Sequence, residues 1–148
     1  MGAHAEALER LREAGYRLTP QRVMVLGVLG EGRGHLGTEE IYKRVRRTYP
    51  FFDLATLYRT LHLLAKLHLV APIEGPGETR YELVRQDQPH HHMVCEECGT
   101  AFDLPPRYLE AFKASLAREV GFEPHLEHFT IQGLCGQCTA RGVKKGEE

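Results

Sequence analysis

Three histidines run directly into a cysteine pair: His90-His91-His92-Met93-Val94-Cys95-Glu96-Glu97-Cys98-Gly99. A second Cys-x-x-Cys, Cys135 and Cys138, lies near the end, and these four are all the cysteines in the chain. Cys-x-x-Cys followed by glycine is the pattern of a zinc knuckle, in which a tight turn aims two thiolates at one cation. Two such pairs supply the four sulfurs of a closed, tetrahedral, structural Zn2+ site. Two disulfides or a redox dithiol are the competing chemistries. The strand-turn-strand pattern around Cys98, matched by a distant second pair, favours zinc. In an extended strand, side chains two apart share a face, so His90 and His92 point together and His91 points away. Two imidazoles are too few for a tight metal site, so further ligands must come from elsewhere. A histidine-rich linker is the plainer alternative.

These groups need elements to position them. The chain has 148 residues, 42% of them hydrophobic, enough for one moderate core or two small ones. No apolar run approaches a membrane span, and Met1-Gly2-Ala3-His4-Ala5-Glu6 lacks the apolar core of a signal peptide. The chain reads as cytoplasmic, where paired thiols favour metal over disulfide. Residues 1–85 carry 13 Lys and Arg against 10 Asp and Glu, and the remainder 6 against 10. A mildly basic front and an acidic back predict different partners for the two halves.

The spacing predicts a helix from Ala5 to Gly15 with Leu8 and Leu11 inward. A second starts at Thr19-Pro20, with Thr19 as cap and Val23, Leu26 and Leu29 buried. After a glycine-rich loop (Gly30 to Gly37) that carries His35, Thr38 is expected to cap a third helix with Ile41 and Val45 inward. A fourth runs from about Leu54 to Leu67 behind Asp53, with Leu54, Leu57, Leu61 and Leu64 as its core stripe. Its other face presents Ala55, Arg59, His62 and Lys66, flanked by Thr56 and Tyr58. Val70 to Ile73 and Thr79 to Val84 then form a hairpin. Three helices, a fourth with an exposed basic and aromatic face, then a hairpin make a winged helix. Ala55 permits close approach, Arg59 suits phosphate or guanine, and Tyr58 suits a thymine methyl. A merely solvated amphipathic helix is the alternative.

Polar, aperiodic residues 85–89 read as a linker between a DNA-binding domain (1–84) and a second domain (90–148). In the latter, strands flank the zinc turn. Pro105-Pro106 opens a helix with Leu109, Phe112, Leu116 and Val120 inward that stops at Gly121. His128 to Leu134 alternates as a strand, with Phe129 and Ile131 on one face. So small a sheet under one helix predicts a homodimer. The fold class is α+β: a winged helix followed by a small α/β dimerisation domain with a four-cysteine zinc site.

Six segments in order resemble the ferric uptake regulator family of metal- and peroxide-responsive repressors, over almost the whole length. They are Leu18-Thr19-Pro20-Gln21-Arg22, His35 to Tyr42, Leu54-Ala55-Thr56-Leu57-Tyr58-Arg59, Arg80-Tyr81-Glu82-Leu83, His90 to Cys95, and Cys135-x-x-Cys138. The resemblance implies a homodimer that binds an A·T-rich palindrome in double-stranded DNA when metal-loaded. Tyr58 and Arg59 would sit in the major groove and Arg22 on the backbone. It also implies that His35, Glu82 and Asp103 join His90 and His92 in a regulatory site that ties the two halves together. A further site of some members maps to His91, Glu110 and Glu127, but Pro89 stands where a further ligand is often histidine. Full occupancy of that site is not expected.

Imidazole and carboxylate without thiolate suit Fe2+, Mn2+ or Zn2+. Zinc-uptake sensors of the family commonly add a cysteine to this site, and none is left over here. Asp103 resembles the peroxide sensors, whereas Glu82 and the linker length resemble the iron-uptake branch. The expectation is Fe2+-responsive control of iron homeostasis, with peroxide-sensing or Mn/Zn-responsive regulation as the alternative. A zinc-dependent hydrolase using His90 and His92 is the rival from another class. No nucleophile motif and no His-Glu-x-x-His helix supports it, and the chain is not expected to be an enzyme.

Overall fold

A computed structural model describes residues 2–31, 34–85, 90–126 and 129–142. The chain divides into two compact units, one of Met1–Pro72 with Glu78–Arg85, the other of Ile73–Gly77 with Gln86–Glu148. The elements run α1 (Ala3–Glu13), α2 (Pro20–Glu31), β1 (Leu36–Gly37), α3 (Thr38–Thr48), α4 (Leu54–Lys66), β2 (Val70–Ile73) and β3 (Arg80–Leu83). There follow β4 (His91–Cys95), β5 (Ala101–Leu104), α5 (Glu110–Ser115), β6 (Thr130–Gly133) and α6 (Gly136–Ala140).

In the first unit α2 is central and touches α1, α3 and α4. Its Val25, Leu26, Val28 and Leu29 meet Ala7 and Leu11 of α1, Ile41 and Val45 of α3, and Leu57, Leu61 and Leu64 of α4 in one buried cluster. Each such side chain contributes about 1.5–3 kcal/mol before conformational entropy is charged against it. The sheet order β1-β3-β2 supplies the wing. Thr19 caps α2, its Oγ1 accepting from the Arg22 amide at 3.3 Å. Asp53 caps α4, accepting from the Thr56 amide at 2.7 Å.

Three expectations fail here. Val23 is only half-buried and lies outside the core cluster, where Val25 and Val28 stand instead. Thr38 does not cap α3: the cap position is Gly37, and Thr38 is the first helical residue, its hydroxyl donating to Thr79 O at 3.3 Å. The amide left over, on Glu39, donates instead to the Glu78 carboxylate at 3.2 Å, so the chain just before β3 caps α3 from outside. Leu54 is not core but 43% exposed. As the first helical residue it lies one turn ahead of Leu57, at the edge of the stripe, where the core has ended.

The second unit is built on β4, which pairs antiparallel with β5 and parallel with β6. The helical stretch from Pro106 begins as a tight 3-10 turn, continues as α5, and widens into a π turn over Leu116–Val120. Gly121 ends it with φ +67, a left-handed stop that glycine adopts at no steric cost. Leu109 and Leu116 are half-buried, but Phe112 and Val120 are exposed. Periodicity placed all four inward, and for Phe112 and Val120 that expectation fails, because nothing covers that part of the helix among the described residues. The short helix α6, which carries Cys138, was not anticipated.

Candidate metal centres and nucleic-acid face

Cys95 ends β4 and Cys98 follows one turn later, at a bend closed by the Gly99 amide donating to Cys95 O at 3.0 Å. Gly99 has φ +75, as the knuckle pattern requires. Cys135 precedes α6 and Cys138 lies inside it, so the second pair is presented by a helical turn rather than a hairpin. All four sulfurs fall within 4.8 Å of one another, with Cys98 and Cys135 at 3.9 Å. A disulfide needs about 2.05 Å, and all four cysteines are free. Tetrahedral zinc with bonds of about 2.3 Å sets sulfurs about 3.8 Å apart, so the quartet fits a zinc site.

The protein's own dipoles prepare part of this quartet. Backbone N–H groups at Cys98 and then Cys135 lower the Cys95 thiol to about 6. The Thr100 side chain, then its amide, lowers Cys98. Burial pushes Cys138 the other way, up to about 12. Four thiolates this close need a dication to coexist, and Cys138 is the sulfur whose proton a metal must displace.

The residues expected to hold a regulatory metal divide between the units. In the second, His92 and Asp103 are direct cross-strand partners on β4 and β5. His92 Nε2 lies 3.9 Å and His90 Nε2 3.8 Å from Asp103 Oδ1, and the two rings stand edge-on at 4.8 Å. Ligand atoms around a divalent metal at about 2.1 Å are separated by about 3.0 Å when adjacent and 4.2 Å when opposite, and each histidine–carboxylate spacing falls in that range. Sequence spacing put the two histidines on one side; the β4–β5 register is what adds Asp103. In the first unit, β1 pairs with β3 through Leu36↔Tyr81 and Gly37↔Arg80. Continued by one residue, that register sets His35 across from Glu82.

His91 turns to the other side of β4, 5% exposed, its ring 4.6 Å from Phe129. Glu110 is exposed in the first turn of α5. Glu127 lies outside the described residues.

On α4, Ala55, Tyr58, Arg59, His62 and Lys66 are all exposed, and Thr56 is half-buried. Arg59 Nη2 donates to Thr56 Oγ1 at 3.2 Å. Arg22 donates to Arg17 O at 2.8 Å and lies over the Tyr16 ring at 5.7 Å. Arg22, Arg59, Thr19, Gln21 and Thr56 line one groove of about 260 Å³, which joins the start of α2 to the exposed face of α4. Sequence reasoning missed a second cationic groove, lined by Tyr42, Lys43, Arg46, Arg47 and Pro50. The run Lys43-Arg44-Val45-Arg46-Arg47 was its only signal.

No helix among the described residues is long and apolar enough to cross a membrane. The model of the ferric uptake regulator family matches residues 13–132. The ferric uptake regulation protein of Bacillus subtilis (strain 168) is 36% identical over 137 residues, covering 90% of this chain and 92% of that one. The peroxide operon regulator of the same strain is 33% identical over 144 residues, covering 95% and 98%. The solved structure of the ferric uptake regulator from Pseudomonas aeruginosa with manganese is 28% identical, with a TM-score of 0.70, covering 86% of this chain and 96% of that one. With its fold and the greater part of its length so matched, the chain belongs to the ferric uptake regulator family of metal-responsive transcriptional repressors.

Proposed function

We propose that this chain is an Fe2+-responsive repressor of the cytoplasm, working as a homodimer on an A·T-rich palindrome in double-stranded DNA. Residues 1–84 bind DNA, 85–89 act as a hinge, and 90–148 dimerise around the zinc held by Cys95, Cys98, Cys135 and Cys138. His90, His92 and Asp103 form half of a regulatory site, completed by His35 and Glu82. Filled by one divalent cation, these five ligands brace the two domains and set the spacing of the two α4 helices in the dimer. That spacing must match the half-sites of the operator. The cation favours this shape only by its higher affinity for it.

The observation that carries the reading is His92 placed directly across from Asp103 with His90 beside it. Three ligand groups lie close there, too few for tight binding and of the type that suits iron, manganese or zinc. On DNA, Tyr58 and Arg59 reach base edges, Ala55, Thr56 and His62 line the contact, and Arg22 holds phosphate. Replacing Tyr58 and Arg59 with alanine should abolish operator binding with zinc content unchanged. Metal-dependent hydrolysis without DNA affinity would instead favour a zinc hydrolase.

The 33% identity to a peroxide operon regulator supports a second reading, in which bound iron makes the protein peroxide-sensitive. Titration of operator binding with Fe2+, Mn2+ and Zn2+, with and without peroxide, separates the two. Release of DNA by the iron form alone establishes peroxide sensing. An iron form that stays bound supports iron-dependent control.

A further inference from the structure

Phe51 is the most exposed large apolar side chain among the described residues, at 89%. The burial of its neighbour explains why. Phe52, 2% exposed, belongs to the core of the first unit, its ring edge-on to Tyr49 at 6.5 Å. With Phe52 anchoring the turn between α3 and α4, Phe51 is driven outward. Two residues later Asp53 starts α4, whose first exposed residues are Leu54, Ala55 and Tyr58. Positions 54, 55 and 58 adjoin on a helix surface, so an apolar edge leads into the face already assigned to DNA.

Water is a poor partner for such an edge, and its borders say what is a better one. Arg46 donates to Pro50 O at 2.9 and 3.1 Å and lies over the Tyr42 ring at 5.3 Å, which fixes its cation at the residue before Phe51. Arg47 and Lys43 line the same groove. Apolar groups bordered by one fixed cation, Arg46, with Arg47 beside it, fit a polyanion that itself carries small apolar projections. Thymine C5-methyl groups in a major groove are such projections.

We infer that Phe51 and Leu54 are specificity-determining residues that seat thymine methyls at the leading end of α4, while Arg46 and Arg47 hold the adjoining phosphates. The inference rests on the DNA-binding reading above.

The test uses duplexes enriched from a random-sequence library by the metal-loaded, zinc-containing protein, with each thymine then replaced by uracil, which lacks only the methyl. The wild type should bind about 3- to 5-fold more weakly at one or two such positions per half-site. Phe51→Ser, at a site too exposed to affect folding, should keep its zinc and melting temperature yet lose that sensitivity. Leu54→Ala should lose part of it. Uracil penalties that persist unchanged in both variants would overturn the inference. So would a Phe51→Ser change that alters self-association and leaves DNA affinity untouched. Failure of the library to enrich any sequence would instead strike at the DNA-binding reading itself.

Discussion

A cap supplied from outside a helix makes two residues interdependent. The Glu78 carboxylate occupies the space where a side chain at position 37 would start: an added Cβ there would fall 1.9 Å from Glu78 Oε1. Gly37→Ala must therefore expel Glu78 and strand the Glu39 amide. Glu78→Ala should cost about 1 kcal/mol, the usual loss for a cap. Gly37→Ala should cost a similar amount, and the double variant no more than either alone. Denaturant unfolding of all three decides this, and full additivity would refute the coupling. The sulfurs make a second prediction at this scale. At pH 7.5 Cys95, lowered to about 6, has already lost its proton, whereas Cys138, raised to about 12, keeps its own. Zinc binding should then release at least one proton but fewer than four, and affinity should rise with pH between 7 and 9. Below pH 6 the Cys95 proton joins the count and the dependence steepens. Calorimetry in buffers of different ionisation enthalpy reads the number, and four protons at pH 7.5 would contradict it.

At the scale of elements, α4 was the most legible part of the sequence. Leu57, Leu61 and Leu64 announce its buried stripe, Asp53 its start, and Arg59 and His62 its open face, because all of these are local, periodic signals. Leu54 belongs to the same pattern and yet is solvent-facing, since periodicity gives a direction and not the place where the core stops. Registers were less legible. The β4–β6 pairing joins segments more than thirty residues apart, and the twinned cysteine pairs foretold only that their ends meet. The partnership of His92 with Asp103 needed the β4–β5 register before it could be derived from this chain alone. The Asp53 cap can be tested directly. Its hydrogen bonds from the Thr56 hydroxyl and then the amide hold the Asp53 carboxyl below its ordinary range. A lowered folded-state value means that the cap's contribution is complete above pH 4 or so and is lost as pH falls through the lower value. Asp53→Ala should lower the melting temperature by a few degrees at pH 7, and the two curves should converge in acid. A difference that persists at pH 2 would show that the cap is not what stabilises.

For the whole molecule, the two faces of the second unit's sheet differ in a way that bears on assembly. Met93 faces Phe102 on one neighbouring strand and Ile131 on the other, so the three form a row across the sheet. Phe102 and Ile131 are each 42% exposed. One residue along, the row His92–Asp103–Thr130 lies on the opposite side and carries two of the proposed metal ligands. The sheet thus keeps His92 and Asp103 on one face and an apolar row with exposed ends on the other, beside an apolar groove that reaches Cys95 and Cys135 of the four-sulfur site. A second copy covering the apolar row would leave the His92–Asp103 face uncovered, so dimerisation and the proposed regulation need not compete for surface. Phe102→Glu combined with Ile131→Glu should then convert the proposed dimer to monomer in sedimentation experiments while leaving four-thiolate zinc content unchanged. It should also weaken operator binding by at least tenfold, because a monomer engages one half-site and loses the second as an intramolecular event. A double variant that remains dimeric would place the interface elsewhere, and the exposed Phe112 and Val120 would become the next residues to change.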